Sequence, residues 1–428
     1  MLFIYRILAS LAAPLALLRL RRKARGMEEV AVRWREWLGK FDNQAPAGVW
    51  IHAASVGEVN AMAPLIEKLA GRFPDRQVLV STLTPTGSAE ARRRFGDRVC
   101  HRLAPLDTRR AVCQWLDTVQ PDIALIAETE IWPELFEQLG RRGIPLVIVN
   151  GRISPGALGR YRHLRPLMTR ALSHTTRIAC QSRAEAERFV HLGAPPERIH
   201  VTGNVKFDGQ LPPDLEEKSQ VLRGRWGQRP VWVAGSTHGM EEDQLIAAHR
   251  KLLKKQPAAL LVLAPRHPER AGEIRRRLAG GNLKVIGLEA SAGPEHSVVV
   301  IDRIGWLQPA YQAAGVCFVG GSLVPVGGHN LLEPARLSRP VLAGPYLHEQ
   351  ASMAELLRED SALLEVTDAD ELADALIELF DDPARQLKLG MAAARAARQG
   401  RGAVEQTLVL IDQVLAETRP DRVTPAGR

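Results

Sequence analysis

Two glycine-rich turns in the last third of the chain carry residue types that suit nucleotide binding. The first contains Gly320 and Gly321 after the β-branched run Val316–Val319, and the second, Gly327–Pro334, is predicted to open a helix with Glu333 on its first turn. Glycines let backbone N–H groups approach a phosphate, and a helix N-terminus adds partial positive charge. A glutamate there can accept two hydrogen bonds from a ribose diol. The pattern indicates a nucleoside-phosphate pocket, although two tight turns and an ordinary helix start use the same residues.

Carboxylates follow two predicted strands in the first half of the chain. Glu58 ends the sequence A-S-V-G-E, where we expect the first turn of a helix, and a carboxylate there can act as a general base. A glutamate stabilised by the helix dipole is the commoner reading of this position. Glu128 directly follows the apolar run Ile123–Ala127, and a carboxylate beside a buried strand is costly unless it is paired. We therefore predict a dedicated partner for one of the acids Glu128 and Glu130. Glu130 also fits a helix start, so Glu128 is the better site candidate.

Cationic and hydroxyl side chains stand at other predicted strand ends. Lys206, in G-N-V-K-F-D, can neutralise an anionic group, but a surface lysine beside Asp208 explains the same residues. Arg266 follows Pro265 and offers a fixed fork of donors to an anion. His238 and His267 are predicted to be polar pocket residues, because no acids stand at metal-ligand spacing from them. The small hydroxyls that suit phosphate in the same region belong to Ser236 and Thr237.

An alternation of short β-branched runs and helical segments must position these residues, and it predicts α/β domains with parallel sheets. Ligands of such doubly wound sheets bind at the carboxyl ends of the strands, where the candidate residues stand. The joint pattern predicts transfer of a group from an activated nucleotide donor. The predicted parts are an anchor with a basic flank (1–25), a Rossmann-like domain (26–208), a linker without hydrophobic periodicity (209–228), a second Rossmann-like domain (229–400), and a C-terminal helix and tail (401–428) that packs back across the first domain.

The composition of the chain limits its partners. Its 428 residues are 45% hydrophobic and 25% charged, as in a well-cored protein of two domains. Four cysteines without C-x-x-C spacing argue against disulfides and structural zinc and suit a reducing cytoplasm. A net charge of +9 indicates an anionic partner. With 5% aromatic residues and no basic-aromatic module, the predicted partner is an anionic membrane or a phosphorylated substrate rather than nucleic acid.

The N-terminal segment is predicted to attach the chain to a membrane. Met1–Leu18 is almost wholly apolar, slightly short of the roughly 20 residues that a spanning helix needs. The basic residues of Arg19–Arg25 predict that the rest of the chain lies on the cytoplasmic face. A cleaved signal peptide would carry its charge before the apolar run. Spanning and interfacial placements both remain open at this point.

The order of the motifs resembles the 3-deoxy-D-manno-octulosonic acid (Kdo) transferases of lipopolysaccharide synthesis. The likeness runs from the apolar N-terminal segment to about residue 400 and keeps the order of the whole set. The motifs that carry it are A-S-V-G-E, T-P-T-G-S, E-T-E-I-W-P, G-N-V-K-F-D, S-T-H, P-R-H-P-E-R, F-V-G-G-S-L and G-G-H-N-L-L-E-P.

This resemblance implies a GT-B glycosyltransferase: two Rossmann-like domains facing across a cleft, with an N-terminal anchor. It implies a metal-independent, cofactor-free, inverting enzyme that moves Kdo from CMP-Kdo to the lipid A precursor (lipid IVA) on the cytoplasmic side of the inner membrane. The first domain would bind the acceptor and the second the donor. By motif match, Glu58 would be the base, and Glu128 and Lys206 would stabilise the transition state. The implied donor-site residues are Ser236, Thr237, Pro265, Arg266, Ile304, Gly305, Trp306, Gly320, Gly321, Asn330, Leu331, Leu332 and Glu333.

The chain departs from the family pattern around this donor site. Where the family shows D-T-x-G-E-L, Arg303 and Trp306 replace the threonine and the glutamate, and Leu331 replaces a proline. Two other functions remain open, the second of them because a carboxylate beside the nucleotide is lost. One is a different GT-B nucleotide-sugar enzyme, an epimerase or a hydrolase, and the other is a lipid-binding homologue with impaired donor binding.

Overall fold

The computed structural model describes residues 1–41, 46–73, 77–279 and 283–418. The chain forms two compact units. Unit 1 comprises Met1–Gly209 together with Arg401–Arg428, and unit 2 comprises Gln210–Gly400. Each unit contains one seven-stranded sheet in which every pair of neighbouring strands is parallel, so the predicted α/β class with two doubly wound domains is confirmed.

The sheet of unit 1 has the strand order β3-β2-β1-β4-β5-β6-β7. Every residue of the inner strands β1, β2, β4 and β5 is buried, as expected of parallel strands covered by helices on both faces. The strands are β1 (Val49–His52), β2 (Val78–Thr82), β3 (Cys100–Leu103), β4 (Ile123–Ala127), β5 (Leu146–Gly151), β6 (Arg177–Cys180) and β7 (Ile199–Val201).

Helices cover both faces of this sheet and several begin with a side-chain cap or a proline, as the sequence signals for helix starts require. Short 3-10 helices lie at Trp34–Leu38, Gly96–Arg98, Pro196–Arg198 and Val205–Asp208. The α-helices are α1 (Leu2–Lys23), α2 (Glu28–Ala31), α3 (Val56–Arg72), α4 (Pro85–Phe95), α5 (Arg109–Val119), α6 (Pro133–Arg141), α7 (Pro155–Arg162), α8 (Arg165–Leu172) and α9 (Arg183–His191).

The sheet of unit 2 has the order β10-β11-β9-β8-β12-β13-β14. Its strands are β8 (Val231–Thr237), β9 (Leu260–Pro265), β10 (Val285–Gly287), β11 (Val298–Val300), β12 (Val316–Val319), β13 (Val341–Ala343) and β14 (Leu363–Glu365). Its helices are α10 (Leu215–Trp226), α11 (Gly239–Lys255), α12 (Ala271–Ala279), α13 (Leu307–Ala313), α14 (Leu332–Arg336), α15 (Ala351–Glu359), α16 (Ala369–Asp381) and α17 (Pro383–Gln399), with 3-10 turns at Pro268–Arg270 and His348–Gln350.

The predicted linker at 209–228 contains helix α10. Its buried residues recur at helical spacing, and two of them, Leu222 and Trp226, belong to the hydrophobic core of unit 2. The prolines before the helix and its many charged residues make these regularly spaced apolar residues hard to recognise in the sequence. The segment is therefore part of unit 2 rather than a structureless connection.

The last helix, α18 (Ala403–Thr418), returns to unit 1, as predicted. Val404, Leu408 and Ile411 lie in the same core cluster as β1 and α3. The carboxylate of Asp208 accepts the backbone N–H groups of Gly402 at 2.7 Å and Val404 at 2.6 Å. These bonds hold the start of α18 against the 3-10 helix that ends unit 1's first segment. The predicted tail beyond Thr418 lies outside the described residues.

Within the described residues, α1 is the one helix that is long and apolar enough to cross a membrane, with a mean hydropathy of 1.6. One of its faces packs on unit 1, where Leu2 is buried and Leu17 and Leu20 contact a small apolar cluster around Trp37. The opposite face is exposed and apolar. It carries Phe3, Ile4, Ile7, Leu8, Leu11, Leu15 and Leu18.

Candidate active site

Glu58 lies on the first turn of α3, directly after β1, as the sequence predicts. Ser55 caps this helix: its Oγ accepts the Glu58 N–H at 3.4 Å and donates to Glu58 Oε1 at 3.0 Å. The N–H of Ala54 donates to Glu58 Oε2 at 2.6 Å. Both carboxylate oxygens are thus oriented by the loop that joins β1 to α3.

Two further acids raise the pKa of Glu58. Burial raises this pKa to about 8, with additional contributions from the negative charges of Glu130 and Glu128, while the bonds from Ala54 and Ser55 oppose the shift. Burial also raises the pKa of Glu130, whose Oε2 accepts the Trp132 indole N–H at 2.7 Å. A carboxyl group with a pKa near physiological pH is suited to general acid–base chemistry.

Glu128 has two polar partners. Its Oε1 lies 3.5 Å from Lys206 Nζ and accepts the side-chain amide of Asn150 at 3.4 Å. Glu128 adopts a φ of +52°, a left-handed conformation that costs a non-glycine residue free energy and is often found at functional sites. The strained turn at the end of β4 thereby brings Glu128 and Lys206 together, although they are far apart in the sequence.

Asn150, which the sequence analysis does not single out, connects the parts of this cluster. It is buried at the end of β5 with a φ of +55°. Its Oδ1 accepts the Val205 N–H at 3.1 Å, and its backbone carbonyl accepts the side-chain amide of Gln181 at 3.1 Å. The Asn-Gly dipeptide is a known turn signal, but only the tertiary fold shows that this asparagine holds both Glu128 and the Lys206 loop.

In unit 2, the ends of β8 and β9 lie side by side and bring the S-T-H and P-R-H motifs together. Thr237 pairs with Pro265 in the sheet register, and the Arg266 N–H donates to the Thr237 carbonyl at 3.0 Å. The Arg266 side chain is exposed, and Ser236, with a φ of +56°, is partly exposed. These four predicted donor-site residues therefore lie at one place on the carboxyl edge of this sheet.

Two histidines form a stacked pair at the same edge. His238 Nε2 and His329 Nε2 are 2.8 Å apart, and the two rings are parallel within 5°. One nitrogen must donate and the other accept, so at least one of the two rings is neutral. Burial, followed by the charges of His238 and Arg266, lowers the pKa of His329 to about 4. The sequence predicts polar pocket residues here, but the pairing of two distant histidines is visible only in the fold.

The backbone N–H groups of the first glycine turn already have protein acceptors. Gly320 donates to the Gly235 carbonyl at 2.8 Å, and Gly321 donates to the buried carboxylate of Glu241 at 2.6 Å. In the second turn, Gly328 donates to the Gly321 carbonyl at 2.8 Å. The expected phosphate cradle is therefore not formed by these N–H groups. Glycine is required at 320 because a Cβ would lie 2.7 Å from both Glu241 Oε1 and the Ser236 carbonyl.

The short helix α14 starts after Asn330 and carries Glu333 on its first turn, as predicted. Asn330 Oδ1 accepts the Leu332 N–H at 3.2 Å, and its Nδ2 donates to Glu333 Oε1 at 3.2 Å. Burial raises the pKa of Glu333, while hydrogen bonds from Asn330 and Gln308 oppose the shift. Leu331 and Leu332 are buried, so among these residues only Asn330 and Glu333 present polar groups to a ligand.

The loop before α13 holds the remaining predicted donor residues. Ile304 is 88% exposed, and Gly305 has a φ of +88° that favours glycine. Trp306 caps α13, and Lys218 Nζ lies 5.3 Å from the centre of its ring, a cation–π contact. Gln308, two residues later, donates to Glu333. The loop is thus connected to α14, and Trp306 takes part in the unit 2 structure.

No group of three or more histidine, cysteine, aspartate or glutamate side chains within the described ranges has an arrangement that would hold a metal ion.

Comparisons with known proteins agree with the motifs. Residues 32–209 match the family described as 3-deoxy-D-manno-octulosonic-acid transferase. A 3-deoxy-D-manno-octulosonic acid transferase of Haemophilus influenzae is 37% identical over 90% of this chain and 91% of its own length. The enzyme of the same name from Bordetella pertussis is 31% identical over 94% of this chain and 97% of its own length.

Solved structures support the fold alone. Anabaena Alr3699/HepE in complex with UDP is 16% identical, has a TM-score of 0.59, and is matched over 86% of this chain and 99% of its own length. The curated relatives are similar over nearly the whole chain. The chain therefore belongs to the Kdo transferase family of glycosyltransferases.

Proposed function

We propose that this protein transfers Kdo with inversion from CMP-Kdo to the lipid A precursor lipid IVA. The observation that carries this proposal is the position of Glu58: a half-buried carboxyl group at the carboxyl edge of the unit 1 sheet with a pKa raised to about 8. The alternative role of Glu58, as a helix-start residue stabilised by the dipole, does not account for the two neighbouring acids.

In the proposed step, the ionised form of Glu58 removes the proton from an acceptor hydroxyl. That oxygen forms a bond to the anomeric carbon of Kdo, and the bond from this carbon to the phosphate oxygen of CMP breaks. The proton stays on Glu58, and CMP leaves with the bonding electron pair. A single displacement of this kind inverts the configuration at the anomeric carbon.

Lys206 and Glu128 are proposed to stabilise the charge of the transition state. The Lys206 side chain is 44% exposed, so its ammonium group can pair with the carboxylate of Kdo, while Glu128 contacts it from the more buried side. A cationic sugar centre that develops as CMP leaves is favoured by the negative charge of Glu128. Asn150 keeps both side chains in place and is a positioning residue.

The donor is proposed to bind to the edge of unit 2 that carries Arg266 and the start of α14. Arg266 is exposed and positive, and it suits the phosphate of CMP. Glu333 and Asn330 are proposed to accept and donate hydrogen bonds to the ribose and the base. Ile304, Gly305 and Trp306 supply a surface beside them.

The acceptor carries acyl chains, so the protein must meet it at a membrane. The exposed apolar face of α1 and the basic residues that follow it fit the cytoplasmic leaflet of the inner membrane. The net charge of +9 suits both the anionic leaflet and the phosphates of the acceptor.

The test is a transfer assay with the purified full chain in detergent, CMP-Kdo and tetraacylated disaccharide bisphosphate. We expect mass spectrometry to find acceptor lipid enlarged by Kdo, with release of CMP that depends on the acceptor. Lys206→Ala should lower kcat by about 100-fold or more, whereas Lys68→Ala, an exposed lysine of α3, should not. CMP release without a lipid product would contradict the proposal and indicate a hydrolase.

A further inference from the structure

A cavity lies between α1 and the body of unit 1. Its volume is about 740 Å³, within the range of roughly 300–1,000 Å³ of small-molecule sites. On the α1 side it is lined by Ala13, Pro14 and Leu17, and on the other by Leu38 and the first turns of α5. Its walls are mainly apolar. We call it the α1 cavity.

The helix that covers this cavity is fixed to unit 1 by polar contacts at its N-terminal end. Tyr5 donates a hydrogen bond to Asp107 Oδ2 at 2.5 Å, and Arg6 Nε donates to Glu134 Oε2 at 2.6 Å. The Glu134 side chain is fully buried. Moving α1 away from unit 1 would leave this carboxylate buried without its cation, which is strongly unfavourable. The geometry therefore favours a helix that lies along the protein, in the membrane interface, over one that leaves it to span the bilayer.

The α1 cavity borders the surface that meets lipid. Leu11, Leu15 and Leu18 are exposed at 71%, 65% and 46%, and they lie on the face of the helix next to the one that lines the cavity. The exposed apolar face and the cavity wall are therefore neighbouring faces of the same helix. Water is a poor occupant of an apolar cavity, and an alkyl chain is a good one.

Two arginines give the α1 cavity a charged end. Arg109 and Arg110 line it at the start of α5, and both are exposed. No hydrogen bond or ion pair joins either guanidinium to another part of the chain that the structure describes, and the first turn of α5 contains no acid. Their fixed forks of donors match a phosphate group.

A chain of hydrogen bonds joins the wall of the α1 cavity to the Glu58 loop. Trp37, next to the lining residue Leu38, donates its indole N–H to the Leu83 carbonyl at 3.0 Å. The Leu83 N–H donates to the Ala54 carbonyl at 3.0 Å, and the Ala54 N–H donates to Glu58. The cavity and the proposed base therefore belong to one continuous part of unit 1.

We propose that the α1 cavity binds an acyl chain of the phosphorylated lipid acceptor, with Arg109 and Arg110 pairing with a phosphate of the same molecule. This inference rests on the proposed function, because it places the acceptor of that reaction. It adds a site for the lipid part of the acceptor, whereas Glu58 acts on its sugar.

The first test compares tetraacylated disaccharide bisphosphate with its fully deacylated form as acceptors. Each methylene buried in the cavity is expected to favour binding by about fourfold, so the acylated acceptor should have the lower KM. Ala13→Trp fills the α1 cavity and should raise the KM of the acylated acceptor at least about tenfold, with little change for the deacylated one. Ala12→Trp, the same change on the exposed neighbouring position, is the matched control.

Two other variants address the opposite wall and the charged end. Cys113→Phe, on α5, should reproduce the effect of Ala13→Trp, which excludes a local defect of α1. The double variant Arg109→Ala/Arg110→Ala should raise the KM of the bisphosphorylated acceptor about tenfold or more and leave a dephosphorylated acceptor unaffected, because charged hydrogen bonds are lost. Arg183→Ala, whose side chain is 91% exposed, is its control.

The second test does not depend on transfer. Maleimide modification of Cys113, followed by mass spectrometry of its peptide, should be slowed by the tetraacylated lipid and not by the deacylated one. Protection of Cys113 without Kdo transfer would support the cavity and contradict the proposed function. Transfer with no protection, or equal effects of Ala13→Trp and Ala12→Trp, would overturn the cavity while the proposed function stands.

Discussion

In unit 1 two strands of a seven-stranded parallel sheet, β1 and β4, are followed by glutamates, whereas in unit 2 the strands β8 and β9 of a second such sheet are followed by histidines and an arginine. Glu58, Glu128 and Glu130 cluster at the first edge, and His238, His329 and Arg266 at the second. The two sheets differ only modestly, in how their first four strands are ordered. The chemistry of each edge is therefore set by the residues that follow the strands and not by the fold.

Burial shifts a pKa at both edges, but it raises the pKa of a carboxyl group at the first edge and lowers the pKa of a histidine at the second. Burial and two neighbouring acids favour the protonated form of Glu58, and burial with neighbouring cationic groups favours the neutral form of His329. In the proposed reaction, a cationic transition state would stabilise the ionised carboxylates of the first edge, and an anionic donor would stabilise protonated imidazoles at the second edge.

Removing the base should have the largest effect. Glu58→Gln keeps the shape of the side chain and cannot accept a proton, so we expect kcat to fall by about 10²–10⁴-fold. CMP binding, measured by calorimetry, should be unchanged, because the edge of unit 2 is intact. Glu67→Gln, a half-exposed acid on the same helix, is the control and should retain activity. A large loss of CMP affinity in Glu58→Gln would contradict the assignment of separate roles to the two edges.

The pH dependence of the rate should test the role of the carboxylates at the edge of the unit 1 sheet. Because the pKa of Glu58 is raised to about 8, its ionised fraction, and with it kcat/KM for the acceptor, should rise about tenfold per pH unit below that pH and level off above it. Glu130→Gln removes a negative charge that opposes ionisation, so this pKa should fall and the rise should move to lower pH. Rates across pH 5.5–9.5 measure both effects. If the pH–rate profile of Glu130→Gln were the same as that of the unaltered protein, Glu58 would be excluded as the titrating group.

Weakening the basic edge should have the smallest of these effects. Arg266→Ala removes charged hydrogen bonds to the donor phosphate, and we expect the KM for CMP-Kdo to rise by about 10–100-fold. The acceptor KM should stay within twofold of that of the unaltered protein. Arg276→Ala, an exposed arginine of α12, serves as the comparison. An increase confined to the KM of the acceptor would show that Arg266 contacts the acceptor and would contradict its proposed role in donor binding.

The fold was largely predictable because buried parallel strands are short apolar runs. The predicted runs Ile123–Ala127 and Val316–Val319 coincide with β4 and β12, whereas β14 is hard to predict because only three residues form it at an edge of the sheet. Helix α10 was missed because Leu215, Leu222 and Trp226 alone mark its buried face among charged residues. The local sequence pattern is thus sufficient to predict a fully buried strand. It is insufficient for a short edge strand such as β14 or for a helix with a narrow buried face such as α10.

The candidate site was predictable where a motif carries it and hidden where distant residues meet. Glu58 and Glu333 lie on first helical turns as expected. The bond between His238 and His329 and the linking role of Asn150 depend on tertiary packing. At the glycine turns the motif predicts a phosphate cradle that the fold does not form, since their N–H groups donate to Glu241 and to backbone carbonyls.

The return of α18 to unit 1 has a consequence for synthesis of the protein on the ribosome. Unit 2 is one continuous stretch of chain, so it can complete its core as soon as it has emerged. Unit 1 cannot, because Leu408, Ile411 and Val414 belong to its core and are made after unit 2. The proposed acceptor-binding half therefore waits, with part of its apolar core uncovered and with α1 available to a membrane, until α18 has been synthesised.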